Sequence, residues 1–335
     1  MPTPPPEARD GAVAPLDSDS GMGGGRGGIG GGMGGWISPT LGHAMIRADY
    51  RVTWYPDEVV RGQATHLNFV RQDLGASWPL WQDDENEWSA SASVRNELLN
   101  TRAVLPNTGQ AFPDELWNVS VGTNFRHLLD DGWMLGGGIH LGSASDQPFH
   151  SLNEMALGAN LFLRVPQGEH NAWIFSVNFS TNSQVLNYIP IPGIAYFYAP
   201  SPWFQATIGF PFANVTYRPT EDLTLQLNYA LLTNVRARVT YRVLPMLKVY
   251  ASFDSGSESY YLEDRTDVRD RFFYNDERVS LGLQWRLTHS ASLDLSGGYA
   301  FDRYYFEGRN FNNNSQDRVN IGDGPFAIVR IDVRF

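Results

Sequence analysis

Apolar side chains recur at every second residue through most of this chain. The last strand shows the pattern plainly, because one face carries Ala327, Val329, Ile331, Val333 and Phe335. The intervening Arg330, Asp332 and Arg334 lie on the opposite face of an extended strand. From His43 onward similar runs are separated by polar, Gly or Pro residues. The pattern predicts an all-β chain in which each strand has one apolar and one polar face.

Composition limits the kinds of sheet protein that fit. The 335 residues are 42% hydrophobic and 13% aromatic, yet no stretch reaches the roughly 18 apolar residues of a membrane-spanning helix. A transmembrane barrel reconciles these facts, since only alternate residues face lipid and a strand needs about 9–11 residues to span. A β-sandwich with an aromatic core is the alternative. The net charge of −11 and the scattered basic residues do not indicate nucleic-acid binding.

We predict a transmembrane antiparallel up-and-down barrel of about fourteen strands, within a range of about 12–16. An even number is expected of a bacterial single-chain barrel. The segment 193–199 is then expected to be loop rather than a further strand. The predicted lipid-facing sets lie within residues 46–54, 70–78, 88–94, 117–125, 133–141, 155–163, 173–179, 204–210, 223–231, 235–243, 247–253, 279–287, 293–301 and 327–335.

The N-terminal part of the chain differs from the rest. Residues 1–42 are Pro-rich and then Gly-rich, so they bury too little apolar surface to fold and are expected to form a disordered tail before a barrel of residues 43–335. No secretory signal is visible. An outer-membrane protein needs one, so we expect that it has been removed or that the true start lies upstream. The role of the Gly-rich tail stays open.

Loop lengths and tryptophans predict which end of the barrel is which. If Phe335 lies at the periplasmic end, the short connections 129–132, 166–171, 219–222, 244–246 and 288–291 are periplasmic turns. The longer segments 101–114, 182–202, 255–273 and 307–324 are then external loops. Trp78, Trp88, Trp133, Trp173 and Trp285 fall near the periplasmic interface, and Trp54, Trp117 and Trp203 near the outer one. Two aromatic girdles of this kind are typical of membrane barrels.

The terminal Phe335 closes a half-apolar strand and resembles the C-terminal assembly signal of Gram-negative outer-membrane β-barrels. Most of the chain resembles this class, and the segments from Pro190 and Ile208 resemble uncharacterised outer-membrane barrel families. The resemblance implies a location in the bacterial outer membrane and contact with its lipid and lipopolysaccharide. It also implies recognition of the C-terminal strand by the barrel-assembly machinery. Solute, gating and oligomeric state do not follow from it.

The polar faces of three successive predicted strands, 235–243, 247–253 and 279–287, predict a basic luminal wall. It consists of Arg236, Arg238, Arg242, Lys248 and Arg286. A three-residue turn would place Arg242 opposite Lys248, and like charges so placed need water, carboxylates or an anionic solute. Opposing luminal acids are expected at Asp294, Asp302, Asp332 and Asp49. A water-filled passage with a transverse field and a plugging charge network are both consistent with this set.

The segment 182–202 is aromatic and long for an external loop. It contains Tyr188, Tyr196, Phe197 and Tyr198 between several prolines. We expect these four residues to lie across the mouth or within the lumen, as a constriction or as a site for an apolar solute. Strand continuing beyond the bilayer, or contact with a neighbouring protein, is the alternative.

Catalysis finds little support in the sequence. The seven histidines are scattered and lack metal-ligand spacing, and there is no cysteine, so we expect no metal site and no cofactor. His140, Ser143 and Asp146 come nearest to a nucleophile set but match no hydrolase motif. We therefore expect a passive channel or small-solute transporter with an Arg-rich luminal wall. The alternatives are a hydrophobic-solute transporter, a closed structural or adhesive barrel acting through its loops, and an outer-rim hydrolase.

Overall fold

The computed structural model describes residues 38, 40–184, 186–230, 234–315 and 317–335. One antiparallel sheet closes on itself, because the last strand pairs with both the first strand and the fifteenth. The predicted all-β, up-and-down closed barrel is confirmed. Most of the predicted N-terminal tail lies outside the described residues. Within the described residues, no helix has the length and apolar character needed to cross a membrane.

Sixteen strands form the barrel wall, two more than the expected fourteen and at the upper end of the expected range. A seventeenth short strand, β16, pairs with β15 beside β17. Two single-turn 3-10 helices, Leu152–Glu154 and Phe311–Asn313, lie in connections. The strands are β1 Arg47–Val59, β2 His66–Gln82, β3 Asn86–Thr101, β4 Glu115–Leu128, β5 Met134–Ser145, β6 Met155–Gln167, β7 Asn171–Ser180, β8 Ile191–Ser201, β9 Phe204–Phe210, β10 Phe212–Tyr217, β11 Leu223–Ala230, β12 Asn234–Leu244, β13 Leu247–Tyr260, β14 Arg271–Arg286, β15 Ala291–Gly308, β16 Val319–Ile321 and β17 Gly324–Arg334.

The two additional strands are β8 and β10. The expectation that 193–199 is loop was wrong, because this segment pairs with both β7 and β9. Both faces of this strand are apolar, because Ala195, Phe197 and Ala199 on the luminal face are buried as well. The sequence therefore shows no alternation of apolar and polar residues here, and the flanking prolines suggest a loop instead. β10 was missed because only Pro211 separates it from β9.

The extra strands reverse the chain direction in this part of the wall. Trp203 therefore lies in the turn between β8 and β9, at the same end of the barrel as Phe335, and its backbone carbonyl accepts a hydrogen bond from Arg218. Its predicted place near the outer interface was wrong. We call the end that carries Phe335 the terminus end, and the opposite end the loop end.

The outward face of the wall is apolar around the barrel. Large exposed side chains there include Val121, Ile139, Leu161 and Leu281, and Leu281 is 71% exposed. Contiguous apolar surface of this extent is incompatible with water and suits hydrocarbon. Gln72, the polar residue within the predicted lipid-facing set 70–78 of β2, accepts a hydrogen bond of 2.6 Å from the Tyr50 hydroxyl on β1. Its amide oxygen is thereby satisfied without water, as an apolar surrounding requires.

The connections at the terminus end are all short, whereas those at the loop end range from the single Pro211 between β9 and β10 to long loops. Turns at the terminus end are short, as between β12 and β13 or between β14 and β15. The loop end carries the long connections 102–114, 261–270 and 309–323. The last two of these begin later than predicted, because β13 and β15 continue well past the lipid-facing residues. These continuations determine the state of the lumen.

Candidate functional site: the barrel lumen

A row of charged side chains crosses five neighbouring strands on the luminal face. In register, Asp294 on β15 faces Arg330 on β17, which faces Arg51 on β1. The row continues through Asp73 on β2 to Arg95 on β3. We call these five residues the charge belt. The carboxylate of Asp73 pairs with both of its neighbours, at 3.2 Å from Arg51 and 2.5 Å from Arg95.

The residues predicted to form a basic wall lie on β12, β13 and β14. The register places Arg242 opposite Lys248, as expected. Arg236 pairs with Asp254 at 2.5 Å, Arg238 with Asp294 at 3.4 Å, and Arg242 with Asp222 at 2.7 Å. The Arg238 guanidinium also lies 3.5 Å from the ring centroid of Tyr250. Arg286, near the terminus end, donates a hydrogen bond to the Pro245 carbonyl.

The predicted opposing acids divide into two groups. Asp294 pairs with Arg238, while Asp49 and Asp332 pair with Arg330 at 3.5 Å and 2.6 Å. Asp302 does not line the lumen with them. It has φ 46° at an irregularity of the β14–β15 register, is exposed, and pairs with Arg318 at 3.4 Å. The irregularity shifts the alternation by one residue, so the buried Arg303 points inward instead.

The loop-end parts of β13, β14 and β15 are buried on both faces. We call these residues, 256–260, 271–276 and 303–308, the tongue. In a barrel wall, a strand is buried on both faces only where other parts of the protein cover its outward face as well as its luminal face. An isolated bridge joins Tyr261, just beyond the tongue, to Ser145 at the end of β5, which belongs to a distant part of the wall. The tongue therefore leans inward across the mouth.

The inner face of the tongue meets β1, β2 and β3 through a buried ion cluster. Glu258 lies 3.0 Å from Arg71 and 2.9 Å from Arg95, and Arg71 also pairs with Glu97 at 2.7 Å. The Tyr260 hydroxyl lies 2.9 Å from Glu97 and 2.7 Å from Glu258. Arg71 and Glu97 are almost inaccessible to solvent. Each charged group of the cluster has at least one partner of opposite charge, as buried charges require.

Aromatic side chains pack beside the ion cluster and complete the seal. Tyr55 stacks on Phe69 with ring centroids 4.2 Å apart, and Tyr274 meets the edge of Phe69 at 5.6 Å. The Tyr55 hydroxyl donates to Asp276 at 3.0 Å and accepts from Arg278 at 3.1 Å. The loop 102–114 adds the buried Leu105 and Phe112 to the same apolar cluster.

The outer face of the tongue is covered by the connection between β7 and β8. Asn182 accepts hydrogen bonds from the Ser259 hydroxyl at 2.9 Å and from Arg271 at 3.1 Å. The Ser257 hydroxyl donates to Gln184 at 2.7 Å. Phe273 and Phe306 stack at 4.7 Å and pack against Phe311 of the β15–β17 connection. The tongue is thus held between two parts of the wall, which closes the loop end.

The predicted constriction residues do not perform the role expected of them. Tyr196 and Tyr198 lie on the outward face of β8, and Tyr196 packs against Trp173 at 4.9 Å. Phe197 faces inward as part of the wall, and Tyr188 lies in the connection before β8, where it is exposed. The expectation of a constriction loop formed by these four residues was wrong, because three of them belong to a strand.

The segment before β1 enters the terminus end of the lumen. Leu41 is 4% exposed and packs in an apolar luminal cluster with Met134, Phe162, Ile174 and Phe197. The Gln82 side chain makes two hydrogen bonds to the backbone of Ala44, and Arg126 donates to the Ser38 carbonyl. Residue 38 and residues 40–45 therefore lie at this end of the barrel rather than trail away from it.

Acidic residues of the connection 261–270 at the loop end have shifted proton affinities. Hydrogen bonds from Arg269 and Arg309 lower the pKa of Asp267, which lies 3.0 Å and 2.8 Å from them. Burial raises the pKa of Asp270. These groups form a mixed-charge rim outside the tongue.

His140, Ser143 and Asp146 are not brought together. The imidazole of His140 faces the lumen and lies over Gly158, where a Cβ atom would stand 2.4 Å from the ring. Ser143 lies on the opposite face of β5 from His140, and its hydroxyl donates a hydrogen bond to the Glu154 carbonyl at 3.0 Å. Asp146 accepts from Ser145 and from the backbone of Glu263. The geometry offers no nucleophile activated by a base.

The sequence pattern did not reveal the tongue. Glu258, Arg71 and Arg95 are ordinary polar positions of alternating strands, and nothing local shows that they meet across the lumen. The alternation that predicted these strands covers only residues 247–253, 279–287 and 293–301, and the tongue lies beyond it. Strand length does not single out the tongue either, since β2 and β3, with 17 and 16 residues, are comparable in length to β13, β14 and β15.

Comparisons with known proteins give only distant similarities. No protein-family model and no curated protein matches the chain. An outer membrane channel from Pseudomonas putida F1 aligns over 88% of this chain and 96% of its own, with 9% identity and a TM-score of 0.38. OccK7 (OpdD) from Pseudomonas aeruginosa aligns over 87% and 100%, with 10% identity and a TM-score of 0.40. A deletion mutant of the monoaromatic hydrocarbon channel TodX aligns over 87% and 90%, with 8% identity and a TM-score of 0.41.

Proposed function

We propose that the protein is an outer-membrane channel or transporter for small solutes, closed at its loop end in this structure. The observation that carries the proposal is that charged luminal side chains away from the tongue keep contact with solvent. Arg236 is 35% exposed and Arg238 21%, compared with 3% for Arg71 beneath the tongue. A lumen filled only for stability would bury these groups as completely as it buries the ion cluster.

In this proposal the tongue is the gate. Its contacts with β2, β3 and the β7–β8 connection are made through side chains, whereas residues 303–305 pair with β16 through the backbone. Displacing the tongue therefore requires β15 to separate from β16, while the pairing of β15 with β17 can stay intact. The same displacement would separate Glu258 from Arg71 and Arg95 and expose the charge belt to the external side. The belt and the basic wall would then form the narrow charged part of the passage.

The basic wall is expected to favour anions, but only modestly. Asp254, Asp294 and Asp222 each pair with one of its arginines, which reduces the field along the wall. The potential felt by a solute is therefore mixed in sign, and selectivity rests on the local excess of cations rather than on the acidic net charge of the chain.

A second candidate is a closed structural or adhesive barrel. The sealed mouth favours it, since a permanently fixed tongue would prevent passage. The two candidates differ in whether the tongue moves, and the cysteine-free chain allows this to be tested by a disulfide.

The test is conductance of refolded protein in planar lipid bilayers, with Asn182→Cys and Ser259→Cys combined to lock the tongue. Their side-chain oxygens lie 2.9 Å apart. We expect wild-type protein to show conductance steps, the oxidised double variant to show none, and reduction to restore them. Each single-cysteine variant is the matched control. Wild-type protein that inserts and never conducts would overturn the proposal in favour of the structural barrel.

We further propose that outer-membrane lipid and lipopolysaccharide surround the apolar belt, and that the assembly machinery recognises β17 and Phe335. The Phe335 ring is 70% exposed at the terminus end, and its backbone N–H donates to the Ile46 carbonyl at 2.9 Å. The ring is thus available to another protein while the backbone closes the barrel. Deletion of Phe335 should reduce membrane insertion in cells while leaving refolding in detergent nearly unchanged.

A further inference from the structure

One buried luminal cation has no counter-charge among the residues that the structure describes. Arg164 on β6 is 6% exposed. No carboxylate of the described residues pairs with it, and its Nε–H has no hydrogen-bond acceptor. The other luminal arginines discussed above pair with an aspartate or glutamate or donate to a backbone carbonyl. A guanidinium buried without a carboxylate partner is suited to bind an anion that is not part of the wall, because pairing lowers the cost of burying the charge.

The immediate luminal neighbours of Arg164 are apolar. Met134 on β5 and Ile174 on β7 are its register partners, and Phe162 precedes it by two residues on the same face. All three are almost fully buried and belong to one cluster, which Phe197 extends on β8. Arg164 is therefore a positive charge set into an apolar wall.

The apolar cluster includes one side chain that does not belong to a strand of the wall. Leu41 reaches it from the segment before β1 and is 4% exposed there. That segment is held at the terminus end by side chains of Gln82 and Arg126 rather than by strand pairing. Leu41 can therefore leave the cluster without unfolding of the barrel. The space that its side chain fills suits an apolar group of similar size.

We propose that Arg164 and the apolar cluster form a luminal binding site for small amphipathic carboxylates, which enter at the terminus end and displace Leu41. The guanidinium binds the carboxylate, and Met134, Phe162, Ile174 and Phe197 contact the apolar group. Guanidinium and carboxylate form strong charge-assisted hydrogen bonds, and two parallel bonds fix the orientation of the solute. The site deepens the proposed function by assigning it a solute class.

The experiment measures binding by titration calorimetry on full-length protein in lipid nanodiscs, so conduction is not the readout. Benzoate is the probe, benzyl alcohol tests the charge, and acetate tests the apolar group. We expect saturable binding of benzoate and much weaker binding of both comparison compounds. Benzoate binding no tighter than that of benzyl alcohol or acetate would overturn the proposal, whatever the conductance experiment shows.

Variants separate recognition from folding. Arg164→Gln should weaken benzoate binding about tenfold or more, because a hydrogen bond to a charged group contributes about 1.5–3 kcal/mol. It should leave the weak binding of benzyl alcohol unchanged, and Arg164→Lys should restore part of the benzoate affinity. Arg61→Gln removes a guanidinium from the exposed rim and should change nothing. Leu41→Ala should tighten benzoate binding, since the competing side chain is smaller.

The outcomes that contradict the site are distinct from those that contradict the channel. Unchanged benzoate affinity in Arg164→Gln would exclude the guanidinium as the recognition group. Equal loss of benzoate and benzyl alcohol in that variant, with the barrel still folded on a heat-modifiability gel, would show that Arg164 only shapes the cluster. Either result leaves the conductance proposal standing.

Discussion

Glu258 and Arg71 form an ion pair of 3.0 Å although four strands of the wall, β14, β15, β17 and β1, lie between their own strands. Such a pair cannot form along the wall and must cross the lumen. It joins the tongue to the opposite wall, with Arg95 as a second cation on the same carboxylate at 2.9 Å. Glu258 is thus bound by two cations of the opposite wall, so the tongue is anchored there through its carboxylate.

Removing the charge of Glu258 should loosen the tongue. Glu258→Gln leaves Arg71 and Arg95 buried with less compensation, and breaking a buried pair from one side costs about 3–5 kcal/mol. We expect a lower unfolding temperature on heat-modifiability gels and more frequent or larger conductance steps in planar bilayers. Glu221→Gln, in an exposed turn at the terminus end, is the matched control and should behave as wild type. Loss of stability with unchanged conductance would mean that the tongue does not gate the lumen.

Two adjacent residues of β14 test the lipid and luminal faces. Leu283 points outward, and Leu283→Arg places a charge against hydrocarbon at a cost of about 2–4 kcal/mol near the bilayer midplane. Gln284 points inward, with Lys248 and Asp294 as register partners, so Gln284→Arg should fold with little loss. The measurement is unfolding in denaturant of protein folded into lipid vesicles. Equal damage from both substitutions would contradict the assignment of faces.

The alternation of apolar residues was sufficient to predict the barrel, because lipid demands an apolar face at every strand. The alternation failed to predict β8, where both faces are apolar, and β10, which only Pro211 separates from β9. It also failed at Asp302, because a register irregularity turned Arg303 inward in its place. The site was only partly predictable. Register placed Arg242 beside Lys248 and Asp294 in the lumen, but contacts across the lumen, such as that of Glu258 with Arg71, depend on how far strands lean inward.

The two ends of the barrel should differ in access from outside the cell. Asn312 lies in the exposed β15–β17 connection at the loop end, and Asp131 in the exposed β4–β5 turn at the terminus end. Since the chain has no cysteine, Asn312→Cys and Asp131→Cys each give a single reactive thiol. An impermeant thiol reagent on intact cells should label only the first, and both should react after lysis. Labelling of Asp131→Cys alone on intact cells would show that the barrel is inserted the other way round.

The basic wall should set ion selectivity once the lumen conducts. Arg238 and Arg242 are partly exposed and face the passage, so reversing their charge should lower the local concentration of anions. Reversal potentials across a salt gradient should shift towards cations in Arg238→Glu combined with Arg242→Glu, and by a smaller amount in the corresponding Gln variants. The shift should shrink as salt rises, because the Debye length falls from about 10 Å at 0.1 M to about 3 Å at 1 M. Arg309→Glu, on the exposed rim outside the tongue, is the control for charge reversal away from the passage. A conducting double variant with the wild-type reversal potential would show that the ions pass elsewhere and that these arginines serve the stability of the wall.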